Sequence, residues 1–244
     1  MADPKMLEKI ASGKGFIAAL DQSGGSTPKA LLGYGVEESA YSGDEEMFGL
    51  IHDMRSRIIR SKAFTGDKVI GAILFERTMD GMVDGVPTPA ALIAKGVVPF
   101  IKIDKGLEDE FDGVQLMKPM PELDALLTRA KALGVFGTKE RSVINQANPG
   151  GIAKLVAQQF EVGKAVLAHG MMPILEPEYS IKSEGRADGE VILKKEILRN
   201  LDALPEGQQV MLKLSIPVVA DTFRELVDHP KVLKVVALSG GFSR

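Results

Sequence analysis

The stretch from Val210 to Pro217 reads Val-Met-Leu-Lys-Leu-Ser-Ile-Pro and predicts a strand with one charged residue in its middle. Side chains alternate between the two faces of a strand, so Leu212 and Leu214 share one face and Lys213 lies on the other. Lysine is among the residues least often fully buried, because its ammonium group loses hydration there. Two interpretations follow: Lys213 faces water on an edge strand, or it is a desolvated amine that attacks a carbonyl carbon.

Composition limits the kinds of function that the chain can have. Its 244 residues suffice for one large α/β domain with a sizeable core. A net charge of only -3 does not indicate nucleic-acid binding. The chain has no cysteine, which excludes disulfides, thiolate catalysis and cysteine-bound metal, and fits a reducing cytoplasm. No stretch resembles a secretory signal or a membrane helix, so we expect a soluble cytoplasmic protein that binds neither membrane nor nucleic acid.

Strand and helix patterns alternate along the rest of the chain. The predicted strands cover residues 15–22, 68–76, 97–105, 134–143, 171–178, 210–217 and 232–239. The predicted helices cover residues 5–11, 44–61, 90–95, 121–133, 151–169, 189–204 and 221–227, and a further helix follows a hydroxyl N-cap in 23–28 and ends near Gly33. This alternation predicts parallel β/α units, either a TIM (β/α)8 barrel or, as the alternative, a doubly wound open sheet.

The number of predicted strands bears on whether a barrel would be complete. A closed barrel of this type needs eight strands, and the pattern predicts one fewer before Arg244. We therefore expect a single barrel domain over residues 1–244 that lacks its last β/α unit. A strand that the pattern misses, or an architecture without a closed barrel, would also explain why fewer than eight strands are predicted.

Polar residues recur towards the carboxyl ends of these strands, where a barrel places its active site. The polar residues on the face of each strand that is expected to point into the barrel are Asp21, Lys102, Asp104, Lys139, Arg141, Glu176, Glu178, Lys213 and Ser239. Each residue taken alone is equally well explained as solvent-exposed. Because buried charges persist when they are paired or functional, the recurrence predicts a common polar cavity.

The residue types in this pattern suit imine chemistry. A lysine attacks a carbonyl carbon as the neutral amine, which both burial and a neighbouring cation such as Lys139 favour. Expulsion of water from the adduct needs an acid, a role open to Glu176. The glycine-rich turns at Ser239-Gly240-Gly241 and 23–26 are suited to phosphate, although such turns are common in proteins.

In its motifs and their order, the chain resembles the class I, Schiff-base fructose-1,6-bisphosphate aldolases of the bacterial type, from about Gly15 to the last residue. The motifs that carry the resemblance are Asp21, Lys102, Lys139-Glu140-Arg141, Glu176-Pro177-Glu178, Lys213 and Leu238-Ser239-Gly240-Gly241. The resemblance implies a (β/α)8 barrel that cleaves fructose 1,6-bisphosphate to dihydroxyacetone phosphate and glyceraldehyde 3-phosphate in glycolysis. It implies no metal and no other cofactor.

The resemblance also implies roles for single residues. Lys213 matches the imine-forming lysine, and Glu176, with Glu178 close behind it, matches the proton donor and acceptor of the imine steps. Asp21 matches the acceptor of the hydroxyl proton during carbon–carbon cleavage. The residues that match substrate-binding positions are Lys139 and Arg141 near the hydroxyls and one phosphate, Lys102, Ser23 and Ser26 at the other phosphate, and Ser239, Gly240 and Gly241 at the ketone-side phosphate.

Several alternatives stay open at this point. The family's eighth strand, with an arginine that completes the ketone-side phosphate site, is not in this sequence, and neither is the tail tyrosine of the animal enzymes. A metal-dependent aldolase would need clustered histidines, and His52, His169 and His229 lie in separate predicted elements. The rivals are a transaldolase or other Schiff-base enzyme for a different sugar phosphate, and a non-catalytic binding protein. The sequence leaves the oligomeric state open.

Overall fold

The predicted helices occur in the computed structural model in the predicted order, with one further short helix at Glu76–Met79 that the sequence did not predict. The model describes residues 3–23 and 25–238. The helices are α1 (Pro4–Ser12), α2 (Thr27–Gly33), α3 (Gly43–Arg60), α4 (Glu76–Met79), α5 (Thr88–Ala94), α6 (Leu123–Ala132), α7 (Pro149–Ala168), α8 (Arg186–Asp202) and α9 (Arg224–Val227), with a 3₁₀ turn at Glu38–Ala40. Among the described residues, none of these helices has both the length and the apolar composition needed to cross a membrane.

The strands confirm each of the seven that the sequence predicts. They are β1 (Phe16–Leu20), β2 (Val69–Leu74), β3 (Met82–Val83), β4 (Val86–Pro87), β5 (Val98–Lys102), β6 (Val114–Gln115), β7 (Gly137–Ile144), β8 (Met172–Tyr179), β9 (Val210–Ser215) and β10 (Val232–Leu238). The sequence did not predict β3, β4 or β6, because two residues are too few to display a period.

Three predicted details were wrong. Helix α9 begins at Arg224 rather than Asp221, because Asp221 has a left-handed backbone with φ of 61°. Strand β5 ends at Lys102, so Asp104 lies beyond it. Ser26 precedes α2, but its hydroxyl makes no capping bond to that helix.

The chain divides into two compact units, and the first contains residues 3–102 and 128–136. In it, β1 pairs with β2 and β2 pairs with β5, all parallel. Every residue of β2 is buried, as expected for a central strand with both faces covered. The rings of Phe100 and Phe136 meet edge to face, with centroids 5.5 Å apart.

The second unit contains residues 103–127 and 137–238. Its parallel strands follow the order β7, β8, β9, β10, and β6 pairs antiparallel with β7. Helices α7 and α8 bury a core of Leu155, Phe160, Leu193 and similar residues against these strands. Gly163 lets α7 lie close to β8, since a Cβ atom there would be 3.0 Å from Leu175 Cδ2.

Candidate active site

Two lysines and one glutamate meet on neighbouring strands of the second unit. Lys213 of β9 donates from Nζ to Oε1 of Glu176 on β8, at 2.7 Å. Nζ of Lys139 on β7 lies 3.2 Å from Oε2 of the same carboxylate, as an ion contact without hydrogen-bond alignment. The parallel register places Glu176 level with Lys213, because Leu175 of β8 pairs with Leu212 of β9, while Lys139 lies opposite Ile174, two residues earlier on β8. One carboxylate thus lies between two ammonium groups.

This cluster is buried, and Lys213 is its most accessible member. The exposed fraction of the side chain is 2% for Glu176 and 3% for Lys139, against 14% for Lys213. Strand β9 lies between β8 and β10, so the interpretation of Lys213 as a water-facing residue on an edge strand is wrong. Asp104 Oδ2 lies 4.0 Å from Lys139 Nζ, which gives the cluster two carboxylates for two ammonium groups. Such pairing is what allows charges to persist away from water.

A second charge pair lies closer to solvent. Nε of Arg141 on β7 donates to Oε2 of Glu178 on β8, and the two side chains are 41% and 24% exposed. The main-chain N–H of Arg141 donates to Asp104 Oδ2 at 3.2 Å. Burial lowers the pKa of Arg141, but the hydrogen bond and charge of Glu178 outweigh this effect and leave the pKa raised. A charged guanidinium is therefore available at this edge for an anionic group.

The opposite face of β7 carries a buried polar layer that the sequence analysis missed. Thr138, Glu140 and Ser142 are all fully buried there. Thr138 Oγ1 lies 3.3 Å from Glu140 Oε2, and Glu140 Oε1 has no hydrogen-bond partner among the residues that the structure describes. Desolvation raises the pKa of Glu140 well above 4.5, opposed by the Thr138 hydrogen bond and the charge of Lys139. Burial therefore favours the protonated, neutral form of the Glu140 carboxyl.

The first unit carries the predicted residues Asp21 and Lys102, which lie just after β1 and at the end of β5. A buried arginine of α3, Arg55, holds this end of β1: its Nη2 donates to the carbonyl oxygen of Gln22 at 2.6 Å. Its Nη1 donates to Thr78 Oγ1 at 2.7 Å. Desolvation lowers the pKa of Arg55 to about 10, and the charge of Asp21 opposes this shift.

Ser23 and Ser26 form the turn that leads into α2. The main-chain N–H of Ser26 donates to the Ser23 carbonyl oxygen at 2.8 Å. The Ser26 hydroxyl oxygen also accepts from the Ser23 N–H at 3.2 Å. The predicted N-cap hydroxyl is thus engaged within the turn.

The predicted site residues fall into three groups. Lys139, Arg141, Glu176, Glu178 and Lys213 come together in the second unit. The first unit holds Asp21, Ser23, Ser26 and Lys102, and the convergence of the two groups on one cavity stays a prediction. Ser239, Gly240 and Gly241 lie outside the described residues.

Comparison with known families decides where this chain belongs. The family described as glycolytic fructose-bisphosphate aldolase class-I matches residues 5–213. The chain is a member of this family. The match ends at Lys213 and includes Lys139, Glu176 and their neighbours, and it supports an aldol cleavage activity.

A solved structure extends the comparison to the fold of this aldolase family member. The chain is similar to the fructose-bisphosphate aldolase of Plasmodium falciparum, solved in complex with TRAP and a small-molecule inhibitor. The TM-score is 0.70 at 21% sequence identity, over 98% of this chain and 77% of that one. The likeness shows a TIM-like barrel fold and excludes the doubly wound alternative; the described residues contribute the seven predicted parallel strands.

The histidines of this aldolase family member make separate contacts. Nε2 of His52 lies 3.0 Å from the Met82 carbonyl oxygen, and Nε2 of His169 lies 2.8 Å from Asp124 Oδ1. His229 lies beside Asp202. Within residues 3–23 and 25–238, no three His, Asp or Glu side chains are grouped as metal ligands.

Proposed function

We propose that this protein reversibly cleaves fructose 1,6-bisphosphate to dihydroxyacetone phosphate and glyceraldehyde 3-phosphate in the cytoplasm, through a Schiff base on Lys213. Family membership supports the aldol chemistry. The observation that carries the mechanism is the Glu176 carboxylate, with Lys213 Nζ 2.7 Å from one oxygen and Lys139 Nζ 3.2 Å from the other. One carboxylate, which can act first as base and then as acid, is thus in direct contact with the amine that must lose its proton.

Imine formation begins with transfer of a proton from the Lys213 ammonium group to Glu176. The neutral amine attacks the ketone carbon C2 and gives a carbinolamine. Glu176 then returns the proton to the C2 hydroxyl, which leaves as water while the C=N bond forms. The Lys213 ammonium and the ketone have become an iminium and one water molecule, and the charge on Lys139 holds the Glu176 carboxylate in place.

Carbon–carbon cleavage uses the iminium as an electron acceptor. Asp21 takes the proton of the C4 hydroxyl, the C3–C4 bond breaks, and its electron pair forms an enamine with C2. Glyceraldehyde 3-phosphate leaves as the aldehyde. Protonation at C3 and attack of water on the iminium then release dihydroxyacetone phosphate and return the Lys213 amine.

Substrate recognition is assigned to the remaining predicted residues. Arg141 offers a guanidinium to a hydroxyl or phosphate, and Glu178 orients it through their hydrogen bond. The other proposed contacts with the phosphates are Lys102, Ser23, Ser26, Ser239, Gly240 and Gly241.

Borohydride reduction in the presence of dihydroxyacetone phosphate, followed by peptide mass mapping, tests the proposal. We expect a stable adduct on Lys213 that is lost in Lys213→Ala. The matched control is Lys234→Ala, which removes a lysine of the adjacent strand β10 and should keep the adduct. A folded protein that gives no adduct would contradict the catalytic proposal and favour a binding role. Cleavage rates with fructose 1-phosphate and other sugar phosphates would distinguish the substrate class.

A further inference from the structure

One buried amide joins the two strands that carry Lys139 and Glu176. Gln159 of α7 is 1% exposed and lies against the back of β7 and β8. Its Oε1 accepts the main-chain N–H of Glu176 at 3.2 Å. Its Nε2 donates to the Ser142 hydroxyl oxygen at 2.7 Å and to the Glu140 carbonyl oxygen at 3.4 Å. The contacts on β7 therefore lie on both sides of Arg141.

These contacts place the amide at the level of the proposed chemistry. The register pairs Arg141 of β7 with Glu176 of β8, and Gln159 bonds to groups next to this pair from the helix side. The main-chain N–H that it holds belongs to the proposed acid and base itself. Because that backbone is held, the point from which the Glu176 side chain extends towards the two ammonium groups is fixed relative to α7.

The burial of the amide makes these contacts costly to remove. A buried amide group without hydrogen bonds is unfavourable, so the side chain and its partners constrain each other. A helix is a stiff support, and rigid elements hold a catalytic constellation more accurately than loops do. Displacement by about 1 Å at the reacting groups is enough to lower a rate about 100-fold.

We propose that Gln159 is a positioning residue, whose amide sets the distance between Lys139 and Glu176 and thereby the contact of Glu176 with Lys213. This inference rests on the proposed function for its kinetic consequence. It assigns Gln159 no contact with substrate. Its effect is to hold the Glu176 carboxylate between the two lysines during proton transfer.

The neighbouring residue provides a matched control. Gln158 of the same helix also bonds to main chain with both ends of its amide, but its partners are the N–H and carbonyl oxygen of Met117, each at 2.9 Å. Gln158→Met and Gln159→Met remove the same atoms from adjacent positions of α7. Only the second change removes hydrogen bonds to the strands of the proposed site.

The first measurement is steady-state cleavage of fructose 1,6-bisphosphate. We expect Gln159→Met to lower kcat at least tenfold with KM changed less than threefold, and Gln158→Met to change kcat less than twofold. Gln159→Glu is a second variant in case the first folds poorly, since it keeps the oxygen that accepts from Glu176 and loses the donors. Equal losses of kcat in the two folded methionine variants would overturn the proposal.

A second measurement does not depend on aldol chemistry. Limited acetylation with acetic anhydride, mapped by mass spectrometry, gives the rate at Lys213 as a function of pH. We expect this profile to change in Gln159→Met, and to coincide with that of the wild type in Gln158→Met. If the wild type forms no imine, the proposed function fails, but the acetylation profiles still test the positioning role. Superimposable profiles for the wild type and both methionine variants would overturn that role.

Discussion

The two faces of strand β7 provide different partners for a buried ionisable group. On one face Lys139 is 3% exposed and lies beside two carboxylates. On the other face Glu140 is fully buried beside neutral groups such as Thr138. The first group has opposite charges as partners, whereas desolvation raises the pKa of the second and favours its neutral form.

The comparison teaches that burial alone does not identify a reactive charge. Side chains one residue apart on the same strand experience similar exclusion of water. What separates them is the presence of an opposite charge within contact distance, because pairing offsets part of the desolvation penalty. The face with paired charges is the one that carries Glu176 and Lys213, the residues of the proposed imine chemistry.

The largest effect is expected where the pairing is broken. Glu176→Gln leaves the ammonium groups of Lys139 and Lys213 without the carboxylate between them, so the free energy of unfolding should fall by about 3–5 kcal/mol. The cleavage rate should fall roughly 100-fold or more, because the proposed acid and base is lost. Urea unfolding and steady-state kinetics measure the two losses.

The control for this change is Glu225→Gln, which removes the 63% exposed partner of Lys194 on the surface. Its free energy of unfolding should change by less than about 1 kcal/mol. Equal losses of the free energy of unfolding in Glu176→Gln and Glu225→Gln would mean that the buried charge pairs of Glu176 stabilise the protein no more than a surface pair does.

The face of β7 that carries Glu140 is tested by the pH dependence of stability in Glu140→Gln. The pKa of Glu140 is raised in the folded protein, so its proton stabilises the folded state below pH 4.5, and this contribution is lost as pH rises through the folded-state pKa. Glutamine has no such proton. The variant should therefore gain stability relative to the wild type as pH rises, with each unit of pKa elevation equivalent to about 1.4 kcal/mol.

Urea unfolding at several pH values from 4 to 8 provides this measurement. Glu161→Gln, at an exposed position of α7, is the control and should follow the wild-type curve. Parallel curves for the wild type and Glu140→Gln would show that the pKa of Glu140 is not raised by folding, and the contrast between the two faces would be lost.

The smallest effect is expected for the partly exposed pair of Arg141 and Glu178. Glu178→Gln removes the carboxylate partner of Arg141, but the two side chains are 24% and 41% exposed, so water screens the pair. The free energy of unfolding should fall by less than about 1 kcal/mol, and by less at high ionic strength. A loss as large as that of Glu176→Gln would show that the pair is buried in solution.

The alternation of polar residues on β7, β8 and β9 was sufficient to predict that Lys139, Glu176 and Lys213 share a cluster. Residues two apart face the same way, and parallel strands end at one edge of a sheet. The same rule shows why Glu140 was missed, since its side chain lies on the face of β7 opposite to the predicted cavity. Arg55 interrupts the apolar face formed by Met47, Ile51 and Met54, a sequence pattern from which its burial could have been predicted.

The sequence could not predict the contacts of Gln159. One glutamine in an apolar helix face indicates burial but not its partners, which lie on β7 and β8. The two-residue strands and the backbone of Asp221 were missed for a related reason, since they depend on a single turn or pairing rather than on a period.

The sequence by itself determined the alternation of strands and helices, the positions of the longer strands and the chemical types available at their ends. These properties follow from patterns within a few residues, where backbone period and burial are coupled. Only the tertiary structure decided that Glu176 lies between Lys139 and Lys213, that burial raises the pKa of Glu140 and that Gln159 bonds to both strands. Those outcomes depend on register and burial between segments far apart in the chain, and both are set by the packing of the whole unit.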